Sequence, residues 1–185
     1  MERYFEESFG ALHRLAESPP EGLDSLVEDI FDCWEEGGTI ISFGNGGSAA
    51  DSLHFTTELV ARLREEPIQK PARSLSSNAA SLTAIPNDWN FEELFVRQIE
   101  AVVSPADVLL GISTSGNSSN VIKGLAKGKS LGATCYGLTG SGGGEMAERL
   151  DQCICVPASE TAHVQEAHIA CLHYVCHRID QRLND

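Results

Sequence analysis

Apolar positions recur at helical spacing through residues 2–17, where Tyr4, Phe5, Phe9, Leu12 and Leu15 fall on one face. They do so again through residues 22–36, with Leu23, Leu26, Val27, Ile30 and Phe31. Ser18-Pro19-Pro20 separates these two amphipathic helices, and Gly37-Gly38 after Glu35-Glu36 is a helix stop. The pattern then changes period. Residues 39–43 are an apolar, β-rich run that breaks into a Gly-rich turn and a helix carrying His54 and Glu58. Pro67 and Pro71 end that helix pattern, and residues 72–77 predict a second, weaker strand. Residues 78–85 predict a short helix, Pro86-Asn87-Asp88 a turn, and 91–103 a further helix with Phe91, Leu94, Phe95 and Ile99 on one side.

Residues 107–112, DVLLGI, form a nearly unbroken apolar run of the kind a central parallel strand, buried on both faces, requires. It leads into Ser113-Thr114-Ser115-Gly116-Asn117-Ser118 and then a helix to about residue 131. Two short strands, 133–139 and 152–156, flank the Gly-rich residues 140–144 and a short helix, and residues 161–183 close the chain as one long helix. Strands alternating with helices predict an α/β fold with a parallel sheet covered on both sides. The expected organisation is a single domain over 1–185, with 1–36 as an N-terminal helical extension and 39–185 as the α/β core. Two amphipathic helices ahead of a complete α/β unit have apolar faces to bury, so they are the expected oligomer contact.

Charge and cysteine usage narrow the function classes. A formal net charge of −14 argues against a nucleic-acid face, which needs a basic patch to replace counterions. A phosphate ligand must therefore be held mostly by backbone N–H groups and hydroxyls. The six cysteines fall inside predicted strands and helices with no C-x-x-C pair, as small buried side chains in a reducing compartment do. No apolar run approaches a membrane span, and the acidic start MERYFEESFG lacks the basic region of a signal peptide. The expected location is the cytoplasm.

Candidate chemistry centres on residues 44–60, GNGGSAADSLHFTTELV. A strand that breaks into Gly-Asn-Gly-Gly-Ser and then a helix leaves first-turn N–H groups free, a natural site for an anion or polar ligand. On that helix His54 and Glu58 stand four residues apart and share a face. Gly44-Asn45-Gly46-Gly47-Ser48-Ala49 formally satisfies the dinucleotide pattern G-x-G-x-x-G/A. The acidic ribose ligand that pattern needs is missing, since the next strand ends Ser76-Ser77-Asn78. A Walker loop is excluded because no Lys-Ser/Thr follows the glycines. Residues 113–118 bring four hydroxyls and an amide to the C-terminal end of a buried strand at a helix start, more than an ordinary cap needs, which favours a phosphate. The Gly-rich residues 140–144 read as a flexible surface turn. On the last helix Gln165, His168, His173 and His177 sit among apolar residues, and spacing alone does not choose the functional histidine. Gln165 and His173 are eight apart, about 12 Å along the axis, so they must lean together or come from different chains to share a ligand.

Four stretches carry a resemblance: GNGGSAADSLHFTTEL (44–59), NDWNFEELFVRQIEA (87–101), DVLLGISTSGNSSNVIK (107–123) and TAHVQEAHIACLH (161–173). Through them nearly the whole chain resembles the sugar isomerase (SIS) family and, within it, the phosphoheptose isomerases. The resemblance implies a flavodoxin-like three-layer SIS fold with a five-stranded parallel sheet and N-terminal helices. It implies interconversion of sedoheptulose 7-phosphate and D-glycero-D-manno-heptose 7-phosphate in heptose biosynthesis, for lipopolysaccharide or another cell-surface glycan. Glu58 would be the general base and His173 the general acid. Asn45, Gly46, Gly47, Ser48, Asn87, Asp88 and Gln165 would line the sugar site, and Ser113, Thr114, Ser115 and Ser118 would hold the phosphate. In zinc-bearing members His54, Glu58, Gln165 and His173 match the ligands, and the family assembles as homotetramers with sites between subunits; no nucleotide cofactor is implied. Two departures stand out: many members carry Asp-Arg where this chain has Ala162-His163, and residues 140–144 lack charges often found there. The rival expectation is a non-catalytic SIS scaffold associating with the replication initiator DnaA, a relative similar through the GNGGS region. A sugar-phosphate sensing module is a third, disfavoured by the absence of a DNA-binding domain in the sequence.

Overall fold

The computed structural model describes residues 2–61 and 68–184, so Pro67 lies outside the described residues. In chain order come α1 (Glu2–Glu17), α2 (Leu23–Glu35), β1 (Ile40–Gly44), α3 (Gly47–Val60), β2 (Ala72–Ser74) and α4 (Ala79–Asp88). A 3-10 turn (Phe91–Glu93) precedes α5 (Leu94–Val102), β3 (Val108–Ser113), α6 (Ser119–Ser130), β4 (Thr134–Thr139), α7 (Gly144–Arg149), β5 (Gln152–Cys155) and α8 (Thr161–Asn184). The strands form one all-parallel sheet in the order β2-β1-β3-β4-β5.

Strand periodicity of two sorts the core into two layers. Ile40, Val108, Leu110, Ile112, Tyr136 and Leu138 point to the side where α2, α3 and α8 pack. Ile41, Phe43 and Leu109 point to the other, against Phe95 and Ile99 of α5 and Val121 and Leu125 of α6. β1 and β3 are buried at every position, which is why they read as continuous apolar runs rather than alternating ones. In this strand order successive connections leave β1 and β3 on opposite faces, so a crevice opens between them at the C-terminal edge. Gly44 pairs with Ile112, which starts the two departing loops at the same level.

Several expectations change. Residues 86–88 are not a turn: α4 runs through Pro86 to Asp88 and closes with the Trp89 N–H donating to Ile85 at 3.0 Å. α4 has no buried residue, so water can reach the carbonyl that proline leaves without a donor. The helix expected over 91–103 begins as the 3-10 turn, because Asn90 caps it by accepting from the N–H groups of Glu92 and Glu93. β2 stops at Ser74, where the Ser77 hydroxyl folds back to the Ser74 carbonyl at 2.7 Å.

The two N-terminal helices also part company. Leu23, Leu26, Val27 and Ile30 of α2 are buried in the chain's own core, whereas Phe5 and Phe9 of α1 remain 64% and 70% exposed. Of the cysteines, Cys33, Cys171 and Cys176 are buried as expected, while Cys135, Cys153 and Cys155 are only partly so, and all six are free thiols. Among the described residues no helix is long and apolar enough to cross a membrane.

Candidate active site

Two loops flank the crevice, and a reciprocal pair of amides joins them. Asn45 Nδ2 donates to Asn120 Oδ1 at 2.8 Å, and Asn120 Nδ2 donates to Asn45 Oδ1 at 2.9 Å. Asn120 is buried, so both of its polar atoms need partners, and each amide satisfies the other. On the β1 side, the Ser76 hydroxyl donates to the Gly44 carbonyl at 3.0 Å. Ser48 is buried, and a Cβ on Gly44 would fall 2.8 Å from its Cβ, so the two pack closely at the turn. At Gly47 there is no room for a side chain: a Cβ would fall 2.2 Å from Nε2 of Gln165. That close approach seats the Gln165 amide directly on the Gly46-Gly47 turn.

On the β3 side, Ser113 and Ser118 hydroxyls meet at 2.8 Å, and the Ser115 hydroxyl accepts from the Asn117 N–H at 3.1 Å. Ser118 is the N-cap of α6 and makes no side-chain cap bond, so the first-turn N–H groups remain available to an anion. Thr114 is half-buried and Ser115 exposed.

The proposed acid and base lie along the seam where α3 packs parallel to α8. His54 Nε2 stands 3.2 Å from Glu58 Oε1 and 3.3 Å from His173 Nε2, with the two imidazoles edge to face. The fold therefore selects His173, not His177, as the partner of His54. His177 lies one turn on with its Nδ1 buried and without a protein partner. Gln165 sits at the loop end of the same seam, level with Gly47, while His173 is level with His54. Among the described residues no group of three or more His, Cys, Asp and Glu side chains is gathered as a metal site. Glu58 and His173 each reach His54, which links the three as a chain.

Asn87 and Asp88 are exposed at the end of α4, with Asn87 Nδ2 donating to Asp88 Oδ1 at 2.9 Å. Among the described residues their side chains form no hydrogen bond to the crevice.

Three participants were not singled out from sequence. Asn120 and Ser76 brace the loops from elements distant in the chain, which no local pattern announces. Asp51, one turn before His54, has a buried Oδ2 without a partner, and burial raises its carboxyl to about 6 while His54 pulls the other way. Its i, i+3 spacing to His54 was the available signal. His168 is wholly buried, its ring nitrogens have no partner at hydrogen-bonding geometry, and burial pushes its pKa down to about 4. It is a neutral core histidine.

The family model described as SIS domain matches residues 3–140. A phosphoheptose isomerase from Roseiflexus sp. is 38% identical over 178 residues, covering 96% of this chain and 90% of that one. One from Helicobacter pylori is 43% identical over 171 residues, covering 92% and 89%. The solved structure of phosphoheptose isomerase GmhA from Neisseria gonorrhoeae superimposes with a TM-score of 0.90 at 36% identity, covering 97% of this chain and 96% of that one.

Proposed function

This chain belongs to the SIS domain family, and from that membership we propose that it is an aldose-ketose isomerase interconverting sedoheptulose 7-phosphate and D-glycero-D-manno-heptose 7-phosphate in heptose biosynthesis. The observation that carries the reading is the contact of His54 with both Glu58 and His173 on a helix that begins at the crevice. Gly47 and His54 are seven residues apart, about 10 Å along α3, the scale of a seven-carbon sugar phosphate. The phosphate is held by the hydroxyls of Ser113, Thr114, Ser115 and Ser118 and by the N-terminus of α6. The sugar lies across Asn45, Gly46, Gly47 and Gln165.

In this reading Glu58 removes a proton from C1 of the ketose, giving the enediolate, and returns it to C2. His173 protonates the oxygen on C2 as charge develops there, and recovers a proton from the C1 hydroxyl as that carbon becomes the aldehyde. General acid-base transfer of this kind contributes roughly 10²–10⁴-fold per group. His54, touching both, orients them.

Zinc is the metal we propose for this donor chemistry. One nitrogen of His54 faces a carboxylate oxygen at 3.2 Å and an imidazole nitrogen at 3.3 Å, and a single hydrogen serves only one of them well. His54, Glu58 and His173 would hold the ion, with Gln165, about 12 Å along α8 from His173, a fourth candidate only from a neighbouring copy, and zinc would supply Lewis-acid polarisation of the substrate oxygens. The enzyme is further read as a cytoplasmic homotetramer. The exposed Phe5 and Phe9 of α1 support an intersubunit contact, and Asn87 and Asp88, on a helix with no buried residue, suit a site completed by a neighbouring copy.

The test is NMR of the purified protein with sedoheptulose 7-phosphate, with added zinc and with a chelator. Appearance of the aldose 7-phosphate supports the isomerase, and loss of conversion in chelator supports the metal. No conversion in either condition from folded protein overturns the enzyme, and tight capture of the replication initiator would then establish the scaffold instead.

A further inference from the structure

Residues 140–144, expected to be a flexible surface turn, are wedged against the β3–α6 loop. The Gly140 N–H donates to the Thr114 carbonyl at 3.2 Å and the Met146 N–H to the Gly116 carbonyl at 3.0 Å. Asn117 returns the contact: its Oδ1 accepts from the Glu145 N–H at 2.9 Å, capping the first turn of α7 from a different element. The fit leaves no space. Gly116 has a φ of +67°, and a Cβ there would stand 2.0 Å from the Gly143 carbonyl; one at Gly144 would stand 2.5 Å from the Ser115 carbonyl.

The direction of these bonds matters more than their number. The β4–α7 loop lies on the β4 side of β3, and the crevice opens on the β1 side. Carbonyls of Thr114 and Gly116 drawn toward β4 are therefore drawn away from an anion in the crevice, which they would repel. With the Gly116 N–H on the Ser113 carbonyl and the Asn117 N–H on the Ser115 hydroxyl, the donors left for the anion are the Thr114 hydroxyl and the first-turn N–H groups of α6. We propose that Asn117 and residues 140–144 set the anion affinity of the β3–α6 loop by holding its carbonyls away from the crevice, with Asn117 as a positioning residue that does not itself touch phosphate. This rests on the sugar-phosphate reading above.

The experiment compares wild type, Asn117→Ala and Gly144→Ala, using inorganic phosphate as the probe in titration calorimetry and sedoheptulose 7-phosphate in kinetics. Gly144→Ala breaks the same contact from the other side, so the inference stays testable if one variant fails to fold. Each variant is expected to weaken phosphate binding and raise KM about tenfold, the effect of misplacing one hydrogen bond to a charged group, with kcat within about twofold. Unchanged phosphate affinity in a folded variant, or a fall in kcat at constant KM, overturns the inference. A wild-type protein that does not bind phosphate overturns the anion reading of the loop itself, a separate and recognisable result.

Discussion

The β3–α6 loop and the α3–α8 seam are built in opposite ways. In the loop, backbone carbonyls of Thr114 and Gly116 are tied to neighbouring N–H groups within the same chain, and hydroxyls pair with one another. In the seam, the ring nitrogens of His54 and His173 and the Glu58 carboxylate meet side chain to side chain, with the His54 side chain 45% and the Glu58 side chain 18% exposed. Binding is thus entrusted to short hydroxyls and N–H groups on a backbone whose geometry is fixed by the fold. Chemistry is entrusted to side chains, where proton affinity can be tuned. The lesson is that the two functions should fail separately.

Glu58→Gln breaks the seam most severely. It keeps the shape but cannot take a proton, so turnover is expected to fall by about 10³-fold or more while calorimetric phosphate binding stays within twofold. Undiminished turnover would remove Glu58 from the mechanism. His173→Asn comes next, with kcat down roughly 10²-fold and KM little changed if the imidazole acts in the transition state. A pure KM effect would make His173 a binding residue instead.

Substitutions in the loop should show the reverse split. Thr114→Val is expected to raise KM about tenfold with kcat nearly constant, since one hydrogen bond to a charged group is worth about 1.5–3 kcal/mol. Gly47→Ala probes the junction of the two regions: the added Cβ displaces Gln165 and should lower kcat/KM by several-fold, read against a melting temperature that shifts only slightly.

The smallest effect concerns pH and two desolvated groups, Asp51 on α3 and His168 on α8. Asp51, raised from 3.8 to about 6, holds its proton in the folded state after the unfolded chain has lost it, so its contribution to stability falls as pH rises from about 4 to 6. His168, lowered from 6.5 to about 4, resists protonation in the folded state, so stability is lost as pH falls through that same window. Asp51→Asn should therefore gain melting temperature over wild type with rising pH, and His168→Gln should flatten the acid side. Parallel curves for variant and wild type would show that neither carboxyl nor imidazole is perturbed.

Much of this arrangement was legible locally. The strands at residues 39–43 and 107–112 announce themselves because central strands are apolar on both faces, and each is followed by residues that can only be a polar turn and a helix start. The pairing of His54 with Glu58 follows from helical spacing alone. The end of α4 was misread because Pro86 normally stops a helix, a rule relaxed where water can take the orphan carbonyl. The N-terminal helices looked alike, yet one is core and the other presents Phe5 and Phe9 outward.

By itself the sequence determined which residues lie on turns at strand ends, which helix carries the carboxylate, and that a phosphate would have to be held with few cations, because periodicity and composition are local properties. Only the tertiary structure decided that β3 lies beside β1, so that Asn45 meets Asn120 and the two loops share a crevice. Only packing of α8 along α3 chose His173 over His177 and set Gln165 on Gly47. Only it turned residues 140–144 from a surface turn into the brace of the β3–α6 loop. Each of these joins residues dozens of positions apart, and such contacts are settled by how whole faces bury against one another.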